Sequence, residues 1–294
     1  MDRAGETWAP PSGSPIGASG WHLASDDTWH LVDQPPAPGY WLASDARWYP
    51  PHAASEPWRW SEWGLGDVWY GLASYLGASL LAVALVALIT GPARSSDEFG
   101  PRELAVFVAA NAIAMVGVVA LATRRKGLRS LRADFGLRAR WFDPLVGAGT
   151  GLAAVLVAGL AGAGIDRAFG ADEPTSNIPV ETLSGATEFW VFFVAIAIVT
   201  PVVEELFFRG LVYRSFLKRG RPVWRAVGST TMIFVVLHLP AAESWVEVVS
   251  LLGSIGVLGL AFALACHWTG NRLTAPIVAH MVVNGLATVA LAVS

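Results

Sequence analysis

Leu104 to Thr123 reads LAVFVAANAIAMVGVVALAT, with no Asp, Glu, Lys or Arg, and is closed by Arg124, Arg125 and Lys126. A helix needs about 20 apolar residues to cross a bilayer, within a range of ~17–25. This stretch has that length and ends on the basic residues that mark a membrane boundary. Other runs free of the same charged residues lie on either side: Val68–Ala93, Pro144–Ile165, Phe189–Val203, Ala226–Ala242, Val248–Asn271 and Leu273–Ser294. Phe189–Val203 holds only 15 residues. Apolar character resumes beyond it through Leu206, Phe207, Phe208, Leu211 and Val212, so this span continues with charges inside it. Ala226–Ala242 only barely reaches spanning length.

Composition agrees. Of 294 residues, 54% are hydrophobic and 15% charged, and the mean hydropathy is +0.48. A soluble domain carries about a quarter charged residues. The balance excludes a disordered chain, a disulfide scaffold and an ordinary cytosolic enzyme. A net charge of −3 argues against a nucleic-acid surface, so no nucleic-acid partner is expected. Cys266 is the single cysteine, which excludes an intrachain disulfide and a cysteine-ligated metal cluster. Within an apolar run it reads as a small hydrophobe. The expected fold is all-α: a polytopic transmembrane helix bundle of about seven spans, with a short Trp-rich N-terminal tail.

Residues 1–67 form that tail, rich in Pro, Gly, Ser and Trp and without a signal-peptide pattern. Eight of the 14 tryptophans fall in it. Gly20–Trp29 (GWHLASDDTW) recurs as Gly39–Trp48 (GYWLASDARW), an offset of 19 residues, with Pro35, Pro36 and Pro38 between. Each unit reads as two short aromatic segments around an Asp-containing turn. The units are similar to short Trp-rich modules on the tails of some actinobacterial membrane proteins. Two readings stand: a tethered, mostly unstructured tail, or a segment that binds an unknown partner or the membrane surface, where tryptophan is favoured. The divisions expected are the tail at 1–67, N-terminal helices and loops at 68–184, and a helical catalytic core at 185–294. Deleting residues 1–60 is expected to leave catalysis within a few-fold.

Orientation follows from lysine and arginine placement. Arg124, Arg125, Lys126, Arg129, Arg132, Arg138 and Arg140 cluster in one connection, and Arg214, Lys218, Arg219, Arg221 and Arg225 in another. Both are expected to be cytoplasmic. Residues 166–188 carry Asp166, Asp172, Glu173, Glu181 and Glu188 against Arg167 alone, so that loop is expected outside. Alternation of seven spans then puts the N-terminus in the cytoplasm.

Charges inside spans cost on the order of 2.5–3.5 kcal/mol each. The first three runs contain no Asp, Glu, Lys, Arg or His. The C-terminal half contains Pro201-Val202-Val203-Glu204-Glu205-Leu206-Phe207-Phe208-Arg209, then Phe234 and His238, then His280 and Asn284. Their concentration on three helices points to one interior site. Glu205 and Arg209 are i,i+4, with the acid N-terminal, and can pair. Glu204 points about 100° away, without an intrahelical cation, and can take a proton from water. Pro201 removes a helical hydrogen bond and predicts a kink. His280 and Asn284 share a face, as do Phe234 and His238. His267 lies at a helix end, where it reads as interfacial. The plain structural reading of these groups is ion-pair anchoring and helix–helix hydrogen bonding.

Glu204-Glu205-x-x-x-Arg209, Phe234-x-x-x-His238 and His280-x-x-x-Asn284, in that order on apolar spans, resemble the triple motif of the CPBP family. That family includes type II CAAX prenyl endopeptidases and the bacteriocin-processing or Abi-type proteins. The resemblance covers about residues 185–290 and implies an intramembrane glutamate-dependent endopeptidase acting on a peptide or protein at the bilayer. It implies that Glu204 activates the attacking water, that His238 helps to hold it, and that His280 and Asn284 stabilise the oxyanion. Glu205, Arg209 and Phe234 are expected to support the site. No cofactor is expected. A zinc site on Glu204, His238 and His280 stays open as the alternative, although no HExxH helix is present. Two other functions compete: a non-proteolytic scaffold, immunity or regulatory protein of the same fold, and a transporter with a carboxylate relay, against which no inverted repeat is apparent. The implied location is the plasma membrane of a bacterium.

Overall fold

The computed structural model describes residues 57–90, 101–169, 185–239, 242 and 244–293, together with the strand residues 21–24, 29–31, 41–42 and 47–49. Among the described residues, six helices are long and apolar enough to cross a membrane: Leu65–Leu88, Glu103–Lys126, Asp143–Phe169, Ala186–Lys218, Trp245–Trp268 and Thr274–Ala292. They lie in α1 (Leu65–Thr90), α2 (Pro101–Lys126), α4 (Asp143–Phe169), the composite helix Ala186–Lys218, α9 (Trp245–Trp268) and α10 (Thr274–Val293). A short helix, α3 (Leu131–Phe135), caps one end. The bundle is all-α and polytopic, and the protein is an integral membrane protein.

Exposed tryptophans band the bundle. Trp69, Trp141, Trp224 and Trp268 lie at the arginine-rich end, and Trp190 and Trp245 lie at the other. An aromatic belt at each interface is what a bilayer selects. Lipid offers no hydrophobic gain for helix pairing, so close packing needs small residues. In α4, Gly147, Gly151, Ala154 and Ala158 form the buried stripe. A Cβ added at Gly147 would lie 2.5 Å from the Ala275 carbonyl oxygen, and one at Gly151 would lie 2.7 Å from that of Ala279. Those two positions let α4 and α10 touch backbone to backbone.

The fifth apolar run is shorter than a span. It forms α8 (Val223–Val236), 14 residues that start before the uncharged run and stop short of its end. The cause is local. His238 Nδ1 donates to the Phe234 carbonyl at 2.7 Å, taking the acceptor its own amide would use. That amide turns to Val235 O instead. Pro240 follows, and the residue before a proline avoids the α region.

The fourth span is one continuous helix with two wider turns. It runs through α5 (Ala186–Phe193), a π turn at Val194–Val199, α6 (Thr200–Glu205), a second π turn at Leu206–Val212 and α7 (Tyr213–Lys218). Pro201 supplies no amide to the first π turn, and Thr200 Oγ1 donates to the Ala195 carbonyl there at 3.0 Å. Glu204 and Glu205 close α6, between the two π turns. Such turns are rare and recur at functional sites.

The arginine-rich end is tied by buried polar groups. Asp134, fully buried, accepts from Trp63 Nε1 at 2.9 Å, from the Leu128 amide and from Thr123 Oγ1. Arg214 donates to the carbonyls of Asp134 and Asn271. Asp143 and Arg272 form a bidentate pair at 2.7 Å between the starts of α4 and α10. Packing begins before the composition shift at Asp67. Trp58 and Trp63, 2% and 1% exposed, sit in the main core. Lys218 lies over the Trp63 ring and donates to the carbonyls of Ser61 and Trp63.

In the tail, each repeat unit contributes two short strands that pair with each other. β1 (Trp21–Ala24) pairs antiparallel with β2 (Trp29–Leu31), and β3 (Trp41–Leu42) with β4 (Arg47–Tyr49). A parallel pairing of β1 with β4 joins them in the order β2-β1-β4-β3. The prolines between the units, and residues 170–184 of the acidic loop, lie outside the described residues.

Candidate active site

Glu205 is the fixed point of the site. It is fully buried, and its Oε1 accepts from Arg209 Nη1 at 2.7 Å and from His280 Nδ1 at 3.0 Å. Arg209 is equally buried and donates through Nη2 to the Gly259 carbonyl on α9 at 2.8 Å. Its guanidinium lies 5.0 Å from the ring of Phe234 and 5.4 Å from that of Phe262. The i,i+4 pair expected from spacing therefore forms, and it locks three helices together. Arg209 Nε and Glu205 Oε2 stay buried without a hydrogen-bond partner, and removing one partner of a buried pair costs about 3–5 kcal/mol.

Glu204 is different. Its side chain is 18% exposed, and its Oε2 is buried without a hydrogen-bond partner. The nearest cationic candidate is His280 Nε2, 3.9 Å away. Glu205 Oε2 is buried without a partner as well, but Glu205 is ion-paired through Oε1 with Arg209, and among the described residues Glu204 has no arginine or lysine at that distance.

The two histidines have defined faces. A carbonyl oxygen only accepts, so Nδ1 of His238 carries the hydrogen it gives to Phe234, and Nε2 is the acceptor in the neutral ring. His280 Nδ1 likewise donates to Glu205. With that hydrogen committed, His280 donates through Nε2 only as the doubly protonated ring. Phe234 stands between the two, its ring 4.5 Å from His238 and 6.0 Å from His280. Phe262 stacks on His280 at 4.7 Å. These rings dry one wall of the site and fix both imidazoles.

Glu204, Glu205, Arg209, Phe234 and His280 thus lie in one cluster, and His238 joins it through the Phe234 ring. Asn284 shares the His280 face of α10, but its Nδ2 donates to the Ile196 carbonyl in the first π turn at 2.9 Å. One amide hydrogen of Asn284 is spent there, and the second is not. The sequence does not reveal the part of α9. The Gly259 carbonyl and Phe262 carry no pattern beyond an apolar helix. His267, read as interfacial, has Nδ1 3.2 Å from the Tyr213 hydroxyl, near the arginine-rich end. Among the described residues, no three His, Cys, Asp or Glu side chains converge as a metal-binding group.

The bundle and its site define a class: a polytopic membrane protein with a carboxylate and two histidines buried within its helices. Residues 186–286 match the family model of type II CAAX prenyl endopeptidase Rce1-like proteins. The matched segment contains all three motifs, and the CPBP resemblance read from them holds. This core is therefore similar to that of CAAX-protease-like membrane endopeptidases. None of the curated proteins and none of the solved structures matches the chain.

Proposed function

We propose that the chain is an intramembrane endopeptidase that uses Glu204 to activate water. The observation that carries this reading is the contrast between two adjacent carboxylates. Glu205 is held through Oε1 by Arg209 and His280, whereas Glu204 has no arginine or lysine within ion-pair distance among the described residues and is partly exposed. A base must be free to accept a proton, and Glu204 is the free one.

In this reading the water gives one proton to Glu204, and its second hydrogen points to His238 Nε2. Its oxygen attacks the carbonyl carbon of the scissile peptide. The carbonyl oxygen becomes an oxyanion, stabilised by Nε2–H of the doubly protonated His280 and by the second amide hydrogen of Asn284. The C–N bond then breaks, and the proton held on Glu204 passes to the leaving amine. Acid–base catalysis of this kind contributes ~10²–10⁴-fold, and one oxyanion donor about 2.7–4 kcal/mol. Glu205 and Arg209 keep His280 in register. The substrate class is a peptide or a protein segment at the bilayer. The setting proposed is a bacterial plasma membrane, with the tail in the cytoplasm.

The test compares membrane-protein fragments in cells carrying the wild-type chain or Glu204→Gln. Glutamine keeps the volume and cannot take the proton, so the fragments disappear while the protein stays in the membrane. Full activity of the purified Gln variant overturns the assignment. Elemental analysis addresses the zinc alternative: stoichiometric zinc, with activity lost on chelation and recovered on zinc return, would establish it.

A further inference from the structure

We infer that Phe262 of α9 is a positioning residue for His280: the face of its ring sets the plane of the imidazole and so aims Nε2 at the place where the oxyanion forms. The inference rests on the proposed role of His280 as an oxyanion donor.

One hydrogen bond does not fix an imidazole. His280 is tied through Nδ1 to Glu205 Oε1 at 3.0 Å, and its Nε2 lies 3.9 Å from Glu204 Oε2. The second side-chain torsion of histidine is broad rather than staggered. A hydrogen bond tolerates about 30° of misalignment. Swinging the ring by that much about Nδ1 carries Nε2 off line by about 1 Å, a misplacement that can cost ~10²-fold in rate. A second contact is needed, across the face of the ring.

Phe262 makes that contact. Its ring stacks on His280 with centroids 4.7 Å apart and planes at 24°, within the separations that aromatic pairs favour. Phe234 stands nearly perpendicular to the same imidazole, at 6.0 Å and 79°. A parallel face resists tilting across its whole width, whereas a perpendicular ring meets the imidazole along one edge.

The Phe262 ring is itself held. It is fully buried and packs with Ala279 and Val283, which lie on either side of His280 along α10. Phe234 braces it with centroids 6.5 Å apart and planes at 79°. One turn earlier on α9, the Gly259 carbonyl takes Arg209 Nη2 at 2.8 Å, which sets the height of Phe262 against Glu205. A Cβ added at Gly259 would lie 3.1 Å from Thr231 Cγ2 and 3.2 Å from Phe234 Cδ1, so the glycine lets α9 seat close to α8 at this level. The Arg209 guanidinium lies 5.4 Å from the Phe262 ring as well. Both donors to Glu205 Oε1 therefore rest against one ring, and that ring gauges the angle between them. A side chain of similar bulk without a flat face fills the space and loses the gauge.

The test uses the full chain in detergent. The proton NMR signal of the His280 ring is the one that His280→Gln removes. Protons held over an aromatic face are shifted upfield. The wild-type signal should therefore move downfield in Phe262→Met and keep its place in Phe262→Tyr. On a cleaved peptide, Phe262→Met should lower kcat about 10–10²-fold with KM unchanged, and Phe262→Tyr should keep most of the rate. Should Phe262→Met not fold, Phe262→Leu gives the same comparison. A His280 signal unmoved by loss of the ring overturns the inference, as does an unchanged kcat, a loss confined to KM, or a Phe262→Tyr variant as slow as the ringless one. Should the wild-type chain cleave no peptide, the peptidase reading fails, and the NMR comparison still decides whether Phe262 sets the plane of the imidazole.

Discussion

His280 Nδ1 and Arg209 Nη1 meet on a single atom, Glu205 Oε1, at 3.0 and 2.7 Å. Three helices depend on that oxygen, because Arg209 also holds the Gly259 carbonyl of α9. The prediction is asymmetric between the two neighbouring acids. Glu205→Gln leaves Arg209 buried without a counter-charge and should lower stability by about 3–5 kcal/mol. Glu204→Gln removes no hydrogen bond and should leave Tm nearly where it was. Thermal unfolding of the two variants in the same detergent measures the difference, and equal Tm values would refute it.

Asn284 has two tasks that kinetics can separate. Its Nδ2 satisfies the Ile196 carbonyl, and loss of that bond should cost about 1–3 kcal/mol of stability. If its second hydrogen stabilises the oxyanion, Asn284→Ala lowers kcat by ~10²–10³ with little change in KM. A kcat within twofold of wild type, in protein still folded, would restrict Asn284 to the structural task.

The tail and the bundle overlap at Trp58 and Trp63. Removing residues 1–60 takes Trp58 out of the core, so the cut that isolates the repeat ends at residue 56. Deleting 1–56 should leave Tm and intrinsic peptidase rate near wild type. Deleting through residue 64 should destabilise strongly, since emptying a buried tryptophan site costs about 3–5 kcal/mol. Tm values for the two truncations decide this.

Orientation can be read with single cysteines in a Cys266→Ala background. Thr187 and Arg221 are both exposed, at opposite ends of the composite helix and its connection. The arginine-rich end is expected to be cytoplasmic. An impermeant thiol reagent added to intact cells should therefore label Thr187→Cys and spare Arg221→Cys. The reverse pattern would invert the bundle.

What the sequence disclosed was set by short-range geometry. The Glu205–Arg209 pair follows from a four-residue spacing, and the shared Phe234–His238 face from the same rule. Pro201 announced a departure from regular α geometry, but not the two π turns that bracket Glu204. The stop of α8 at Val236 depends on one histidine ring taking a backbone carbonyl, a choice no hydropathy window contains. Trp58 and Trp63 read as tail because their partners, Asp134, Arg214 and Lys218, lie far along the chain. The α9 contribution was invisible for the same reason: a glycine carbonyl becomes a ligand only once a distant arginine arrives.

The docked tryptophans also set a leash. Only residues 50–56 separate the last strand of the tail's sheet from the segment anchored on Lys218. Fully extended, seven residues reach roughly 25 Å. Anything the sheet captures is therefore held within that radius of the anchor, at an effective concentration on the order of millimolar. A ligand bound only weakly by these strands would still spend much of its time near the arginine-rich end of the bundle.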